Sequence, residues 1–184
     1  MLKEVLERRF SKIIQNKNQS DIIIPDLIFI EDNCEGIFGK YENNYSGSGD
    51  CSLCSSVSFY GNKTITTGEG GAFFTNDLDI YKYIKTYYSH GMSHIRYIHN
   101  IEGTNYRMTN IQAALLYDQL NDVYNILNMK KQVYNYYKLL YNNLPEEYKK
   151  IFSLLIEEKD TEHSKWIFSL LTYNFDYDHF EKYM

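Results

Sequence analysis

All ten glycines of this 184-residue chain lie between Gly36 and Gly103, with none before or after. Glycine adopts left-handed backbone conformations and admits close approach at little steric cost. The middle of the chain must therefore turn tightly or come close to something, while its flanks are free to be regular. The apolar spacing bears this out on both sides. Val5, Leu6, Phe10, Ile13 and Ile14 predict a helix over Leu2–Gln15, and Ile22–Ile30 reads as a strand ending in the acids Glu31 and Asp32. Val57–Tyr60 and Ala72–Thr75 read as short strands, and Leu78–Tyr88 as a helix. Thr109-Asn110-Ile111-Gln112 matches a capping box, in which a hydroxyl and an amide side chain satisfy free backbone donors at a helix start. The apolar positions after it, Ile111, Leu115, Val123, Leu127 and Val133, carry a long helix to about Asn142, with a break along its length. Pro145 marks a boundary, Trp166–Tyr173 suggests another strand, and Phe175–Met184 begins a further element. Strands alternating with helices predict an α/β domain with a mainly parallel sheet flanked by helices. Ligands of such sheets gather at the carboxyl ends of the strands.

Composition narrows the function classes. A hydrophobic content of 43% suits a globular chain, and a net charge of −5 leaves no basic footprint for nucleic acid or anionic lipid. The longest apolar run is interrupted by Pro25 and Asp26, so no membrane span is predicted. The first residues carry acids and lack a signal-peptide core, so a cytoplasmic location is the default expectation. The three cysteines, Cys34, Cys51 and Cys54, form no disulfide framework in that setting. Cys51 and Cys54 have CxxC spacing, but a structural zinc site needs a second ligand pair at similar spacing. Only Cys34 and the scattered His90, His94 and His99 are there to supply it, so buried or incidental cysteines are the favoured reading.

One lysine stands out. Lys63 follows the Val57–Tyr60 strand in Ser58-Phe59-Tyr60-Gly61-Asn62-Lys63-Thr64-Ile65-Thr66-Thr67-Gly68-Glu69-Gly70-Gly71. A lysine enclosed by hydroxyls and glycines can lose solvent and become a nucleophilic amine, as a Schiff-base lysine must. From this run alone, a solvated loop lysine fits as well. Asp32 at the end of one strand and Ser58–Lys63 at the end of another are placed to face one site, although a loop acid or helix cap is the ordinary role for such an aspartate.

Three segments then occur in order: Ile30-Glu31-Asp32-Asn33-Cys34-Glu35-Gly36, the run from Ser58 to Gly71, and Gly103-Thr104-Asn105-Tyr106-Arg107-Met108-Thr109-Asn110-Ile111-Gln112-Ala113-Ala114. Together they resemble the DegT/DnrJ/EryC1/StrS family of pyridoxal-phosphate-dependent sugar aminotransferases, with wording nearest its perosamine synthase branch. The resemblance is dense from Ile28 to Leu120, thins toward Asn143 and returns at His163–Ser169. It implies a partial aminotransferase fold of type I, with 1–145 as part of the large cofactor-binding domain and 146–184 as the start of a truncated small C-terminal domain.

The resemblance also implies roles. Lys63 matches the lysine that bonds the cofactor covalently and moves protons between it and the substrate carbon. Asp32 matches the acid paired with the pyridine nitrogen, Glu35 a polar residue near the ring hydroxyl, and Ser58 a hydroxyl that binds the cofactor phosphate. Asn105 matches a residue that reaches the phosphate from the neighbouring subunit, which implies a homodimer or pairing with a complementary chain. Arg107 is assigned no contact; an ion pair near a helix start accounts for it. Cofactor-dependent sugar dehydratases related to the family carry histidine where this chain has Lys63, so lysine favours transamination. The implied reaction passes an amino group from a donor such as glutamate to a nucleotide-linked 4-keto-6-deoxy sugar.

The chain also departs from the family pattern. The family pattern places a Gly/Ser/Thr phosphate turn and a ring-stacking aromatic before this strand; here only about thirty residues precede Asp32, and no such turn is present among them. Missing strands would leave a bare sheet edge and apolar surface. A catalytically inactive remnant, or a subunit that only associates with a complete homologue, is therefore the alternative expectation.

Overall fold

The structure, a computed structural model, describes residues 28–49 and 52–173, together with positions 176 and 181. The helix expected over Leu2–Gln15, the first part of the Ile22–Ile30 strand, Cys51 and most of Phe175–Met184 lie outside the described residues.

The central sheet is built from β1 (Ile30–Asp32), β4 (Cys54–Ser58) and β5 (Gly71–Phe74), in the order β1-β4-β5. The β1–β4 junction is parallel, pairing Asp32 with Ser56, and the β4–β5 junction is antiparallel, pairing Ser58 with Gly71. Strand β4 starts three residues earlier than its apolar run, because Cys54 and Ser55 are buried too. It lies between two partners, whereas Ile30 on β1 and Phe73 and Phe74 on β5 are exposed. The parallel junction sends Asp32 and Ser58 out at the same end of the sheet.

After β5, Asp77 caps helix α1 (Leu78–Tyr87), accepting from the amides of Asp79 and Ile80 at 2.9 Å each. The capping box forms as expected at Thr109, opening helix α2 (Asn110–Asn121). The break in the long helix falls at Asp122, which ends α2 and precedes α3 (Val123–Asn142). Pro145 then starts the short helix α4 (Glu146–Lys149). Between α1 and α2 the chain doubles back tightly. A Cβ on Gly91 would collide with the Ile101 carbonyl, and one on Gly103 with the Gly91 amide, so the two backbones approach as only glycine permits.

Two small antiparallel sheets complete the described residues. Strands β2 (Lys40–Tyr41), β3 (Asn44–Tyr45) and β7 (Thr161–Glu162) pair in the order β3-β2-β7. The β2–β7 pairing brings the segment after residue 160 back beside the loop that follows β1. Strands β6 (Phe152–Leu154) and β8 (Leu170–Thr172) form the other sheet. The strand expected over Trp166–Tyr173 is thus confined to Leu170–Thr172, and Trp166 lies in the irregular chain before it.

The core sits directly under the Lys63 loop. Val57, Phe59 and Ile65 form its buried centre, with Ile37, Phe38, Ala72, Met108, Leu116 and Ile126 packed against it. Phe59 and Ile65 flank Lys63 in the chain, so burying them fixes both ends of the loop that carries it.

Candidate active site

The loop from Tyr60 to Gly70 is held by its own backbone and hydroxyls. Phe59 donates its amide to the Gly70 carbonyl at 2.9 Å, and its carbonyl accepts from the Thr67 amide and the Thr66 hydroxyl, each at 2.9 Å. Gly70 has φ 149°, and a Cβ there would stand 2.6 Å from the Thr67 hydroxyl. A side chain at this position would push the loop off the strand end. Within the loop, the Lys63 amide donates to the Tyr60 carbonyl at 3.0 Å.

The side chain of Lys63 is only 11% exposed, and its Nζ lies 3.6 Å from Glu35 Oε1. Glu35 is 70% exposed, so solvent screens much of this pair. The same ammonium lies 3.8 Å from the centroid of the Trp166 ring. The solvated loop lysine that the sequence left open is therefore not what forms. This amine is drawn inward between a carboxylate and an aromatic face.

Asp32 lies across the site, exposed at the end of β1. Its carboxyl is held below the ordinary range by hydrogen bonds from Cys34, first the thiol and then the amide, which donates at 3.2 Å. The positive charge of Lys63 adds to this. The Cys34 thiol is pushed up in turn, chiefly because it donates to the Asp32 anion, and it stays protonated near neutral pH. Ser58 caps β4 and accepts from the Tyr60 amide at 3.2 Å. Thr64, next to Lys63, keeps a buried hydroxyl with no hydrogen-bond partner among the described residues.

The structure therefore brings Asp32, Glu35 and Lys63 into one electrostatic neighbourhood and places Ser58 on the strand that leads to Lys63. Asn105 is held elsewhere. Its backbone bridges Ser89, and its side-chain oxygen accepts from the amide of Arg107 at 3.4 Å and from its guanidinium at 3.5 Å. Among the described residues, no contact joins Asn105 to the other four. Cys54, one half of the CxxC pair, is a buried core residue at the start of β4.

Two site neighbours escaped the sequence reading. Gln119, on α2, accepts from the Thr66 amide at 2.9 Å and donates to the Thr66 carbonyl at 2.7 Å. It clamps the Lys63 loop as a neighbouring strand would. Trp166 donates its indole N–H to the Asn62 carbonyl at 2.7 Å. The glutamine carried no signal beyond helical spacing, and the tryptophan was legible within an apolar run and the His163–Ser169 resemblance, neither of which places it beside Lys63.

Asp32, Lys63 and Ser58 offer an anion, an amine and a hydroxyl at the adjoining ends of β1 and β4. That donor set fits pyridoxal phosphate, whose ring nitrogen, aldehyde and phosphate need those three kinds of group.

Comparison with known proteins agrees with this chemistry. Residues 25–181 match the model of the DegT/DnrJ/EryC1/StrS aminotransferase family. The chain is 40% identical over 149 residues to the GDP-perosamine synthase of Escherichia coli O157:H7, covering 80% of this chain and 38% of that protein. It is 44% identical over 115 residues to the GDP-perosamine synthase of Caulobacter vibrioides, covering 61% of this chain and 30% of that one. Among solved structures, PseC of Helicobacter pylori, an aminotransferase of pseudoaminic acid biosynthesis, superposes with a TM-score of 0.71 at 27% identity, covering 80% of this chain and 39% of that one. The chain thus spans well under half the length of these relatives. The parallel strand ends, the enclosed lysine and the family match agree: the chain belongs to the DegT/DnrJ/EryC1/StrS aminotransferase family.

Proposed function

We propose that this chain carries the cofactor-bonding part of a pyridoxal-phosphate-dependent aminotransferase acting on a nucleotide-linked 4-keto-6-deoxy sugar, with glutamate as amino donor. The observation that carries this reading is the enclosure of the Lys63 amine opposite an ionised Asp32. The similarity to two GDP-perosamine synthases supports the substrate class. Bound at this site, pyridoxal phosphate supplies a carbonyl carbon for amine exchange and a protonated ring that withdraws electrons from the substrate carbon.

The chain's own residues have these roles. Lys63 would hold the cofactor and would take and return a proton at Nζ, with the Glu35 carboxylate 3.6 Å away to orient it. Asp32 remains an anion at neutral pH and so would keep a proton on the cofactor's ring nitrogen. Glu35 would lie near the ring hydroxyl, the Ser58 hydroxyl would hold the phosphate, and Asn105 would serve the site of a second copy in a homodimer. This reading divides the chain into 1–145, part of the large domain, and 146–184, the start of the small one.

The test is chemical trapping. Pyridoxal phosphate is added to the purified chain, borohydride is used to reduce the bond formed with loss of water, and the modified peptide is sequenced by mass spectrometry. Lys63 should carry the label, and Lys63→Ala should lose it. Label spread over surface lysines with Lys63 unmarked overturns the assignment.

A second reading, a non-catalytic chain that only associates with a complete homologue, is favoured by the apolar groove lined by Ile37, Phe38, Phe59, Leu116, Leu120 and Leu127. Amino transfer from glutamate to a nucleotide-linked keto sugar by the purified chain alone would sink it.

A further inference from the structure

We infer that Trp166 is a positioning residue for Lys63, with its indole face setting where the reactive amine lies. The inference rests on the reading of Lys63 as the cofactor-bonding lysine, and three sets of contacts carry it.

The first is the pairing of ring and amine. The Lys63 ammonium lies 3.8 Å from the ring centroid, well inside the range in which a cation is attracted to an aromatic face. With the lysine side chain 11% exposed, that attraction acts with little competing water. Glu35 pulls on the same ammonium but is largely solvated, which leaves the indole as the more sheltered partner.

The second set fixes the indole. Its ring N–H donates to the Asn62 carbonyl at 2.7 Å, one residue before Lys63. The same side chain thus grips the backbone of the loop and faces the amine that the loop presents. Two residues earlier, the Ser164 hydroxyl donates to the Glu35 carbonyl at 3.1 Å, so the segment touches both loops of the site.

The third set anchors the segment from behind. His163 packs on the Tyr134 ring with centroids 5.4 Å apart, and Phe168 packs on Tyr134 and Tyr137. Lys165 pairs with Glu157 and lies 4.4 Å from the centroid of the same Tyr134 ring. Lys165 has φ 58°, a left-handed conformation uncommon for a residue with a side chain. That turn separates the His163 ring, facing α3, from the indole, facing Lys63. The segment is therefore tied to α3 on one side and to the Lys63 loop on the other, and Trp166 is the contact that reaches the amine.

The experiment compares Trp166→Phe with Trp166→Leu in the full chain. Both lose the N–H and keep apolar bulk, but only phenylalanine keeps a π face. Pyridoxal phosphate attachment at Lys63 is followed by borohydride trapping and peptide mass spectrometry. The expected result is that the phenylalanine variant, which loses the bond to Asn62 but keeps the π face, still labels Lys63 selectively at a rate reduced only a few-fold at most. The leucine variant should be slower by roughly tenfold, with label shifting to other lysines. Equal rates and selectivity in the two variants overturn the inference, because a merely structural role would not separate them. A second measurement needs no variant. Trp166 is the only tryptophan of the chain, so its emission should fall in proportion to the fraction of Lys63 labelled. Unchanged emission at full labelling overturns the contact. Failure of the unsubstituted chain to label Lys63 would instead count against the aminotransferase reading itself.

Discussion

At the scale of single residues, the proposed site turns on how one carboxylate is kept charged. Asp32 is exposed, so burial does little to it, and its acidity is set by Cys34 before Lys63. A thiol donor is an unusual partner for a carboxylate, and removing it gives a clear prediction. In Cys34→Ala the Asp32 carboxyl should rise toward its ordinary value near 3.8. Its pKa is lowered in the folded chain, so its contribution is present above the ordinary value and is lost as pH falls through the folded one. The variant should therefore lose the Asp32 anion at a higher pH than the unsubstituted chain. Side-chain carboxyl NMR of Asp32 across an acid titration checks this. Coincident curves would show that the thiol does not govern the group. Asp32 and Lys63 were both legible in the sequence because each follows a short apolar run, and strand ends are where α/β sheets collect their ligands. The role of Cys34 was not legible, since a thiol two residues from an acid has no pattern of its own.

At the scale of elements, the caps and breaks could be read because they are local. Thr109 and Gln112 stand three residues apart, and the hydrogen bonds they make need nothing beyond that spacing. The contacts that shape the site are not local. Gln119 reaches Thr66 across 53 residues of sequence, and Trp166 reaches Asn62 across 104. No period of 2 or 3.6 encodes such pairs, because they exist only once helix and sheet have packed. The glutamine clamp makes its own prediction. In Gln119→Leu the Thr66 amide and carbonyl lose their side-chain partners in a half-buried place, and an unmade bond there costs about 1–3 kcal/mol. Part of that cost should appear locally, as faster amide exchange of residues 62–67, with the helix around the substitution little changed. Hydrogen exchange with peptide-level readout checks it. Uniform exchange over the whole chain would mean that the clamp stabilises the fold and not the loop.

At the scale of the molecule, the chain orders its site on a small core. The buried apolar residues among the described ones are Cys54, Val57, Phe59 and Ile65, all within twelve positions that run from β4 into the Lys63 loop. Helices α1, α2 and α3 bury no residue completely, and Ile111, Leu115, Tyr117, Tyr124 and Val133 stand more than half exposed along α2 and α3. Phe73 and Phe74 are exposed on the edge strand β5 as well. Surface of this kind leads us to expect contact with more protein, since single domains rarely expose large contiguous apolar patches. Exposed apolar side chains of the kind expected from the sequence are present among the described residues. The purified chain should therefore self-associate at micromolar concentration and bind a hydrophobic dye. Replacing Ile111 and Leu115 with lysine should reduce both, because charge on that face opposes burial against another copy. The same pair of substitutions should leave Lys63 labelling by pyridoxal phosphate intact, since among the described residues Ile111 has no contact with the loop and Leu115 meets the Gln119 clamp only through its backbone carbonyl, at 2.8 Å, which the substitution keeps. Sedimentation velocity and dye titration, run beside the labelling assay, separate the two properties. A chain that sediments as a monomer and leaves the dye unbound would show that these faces are covered from within.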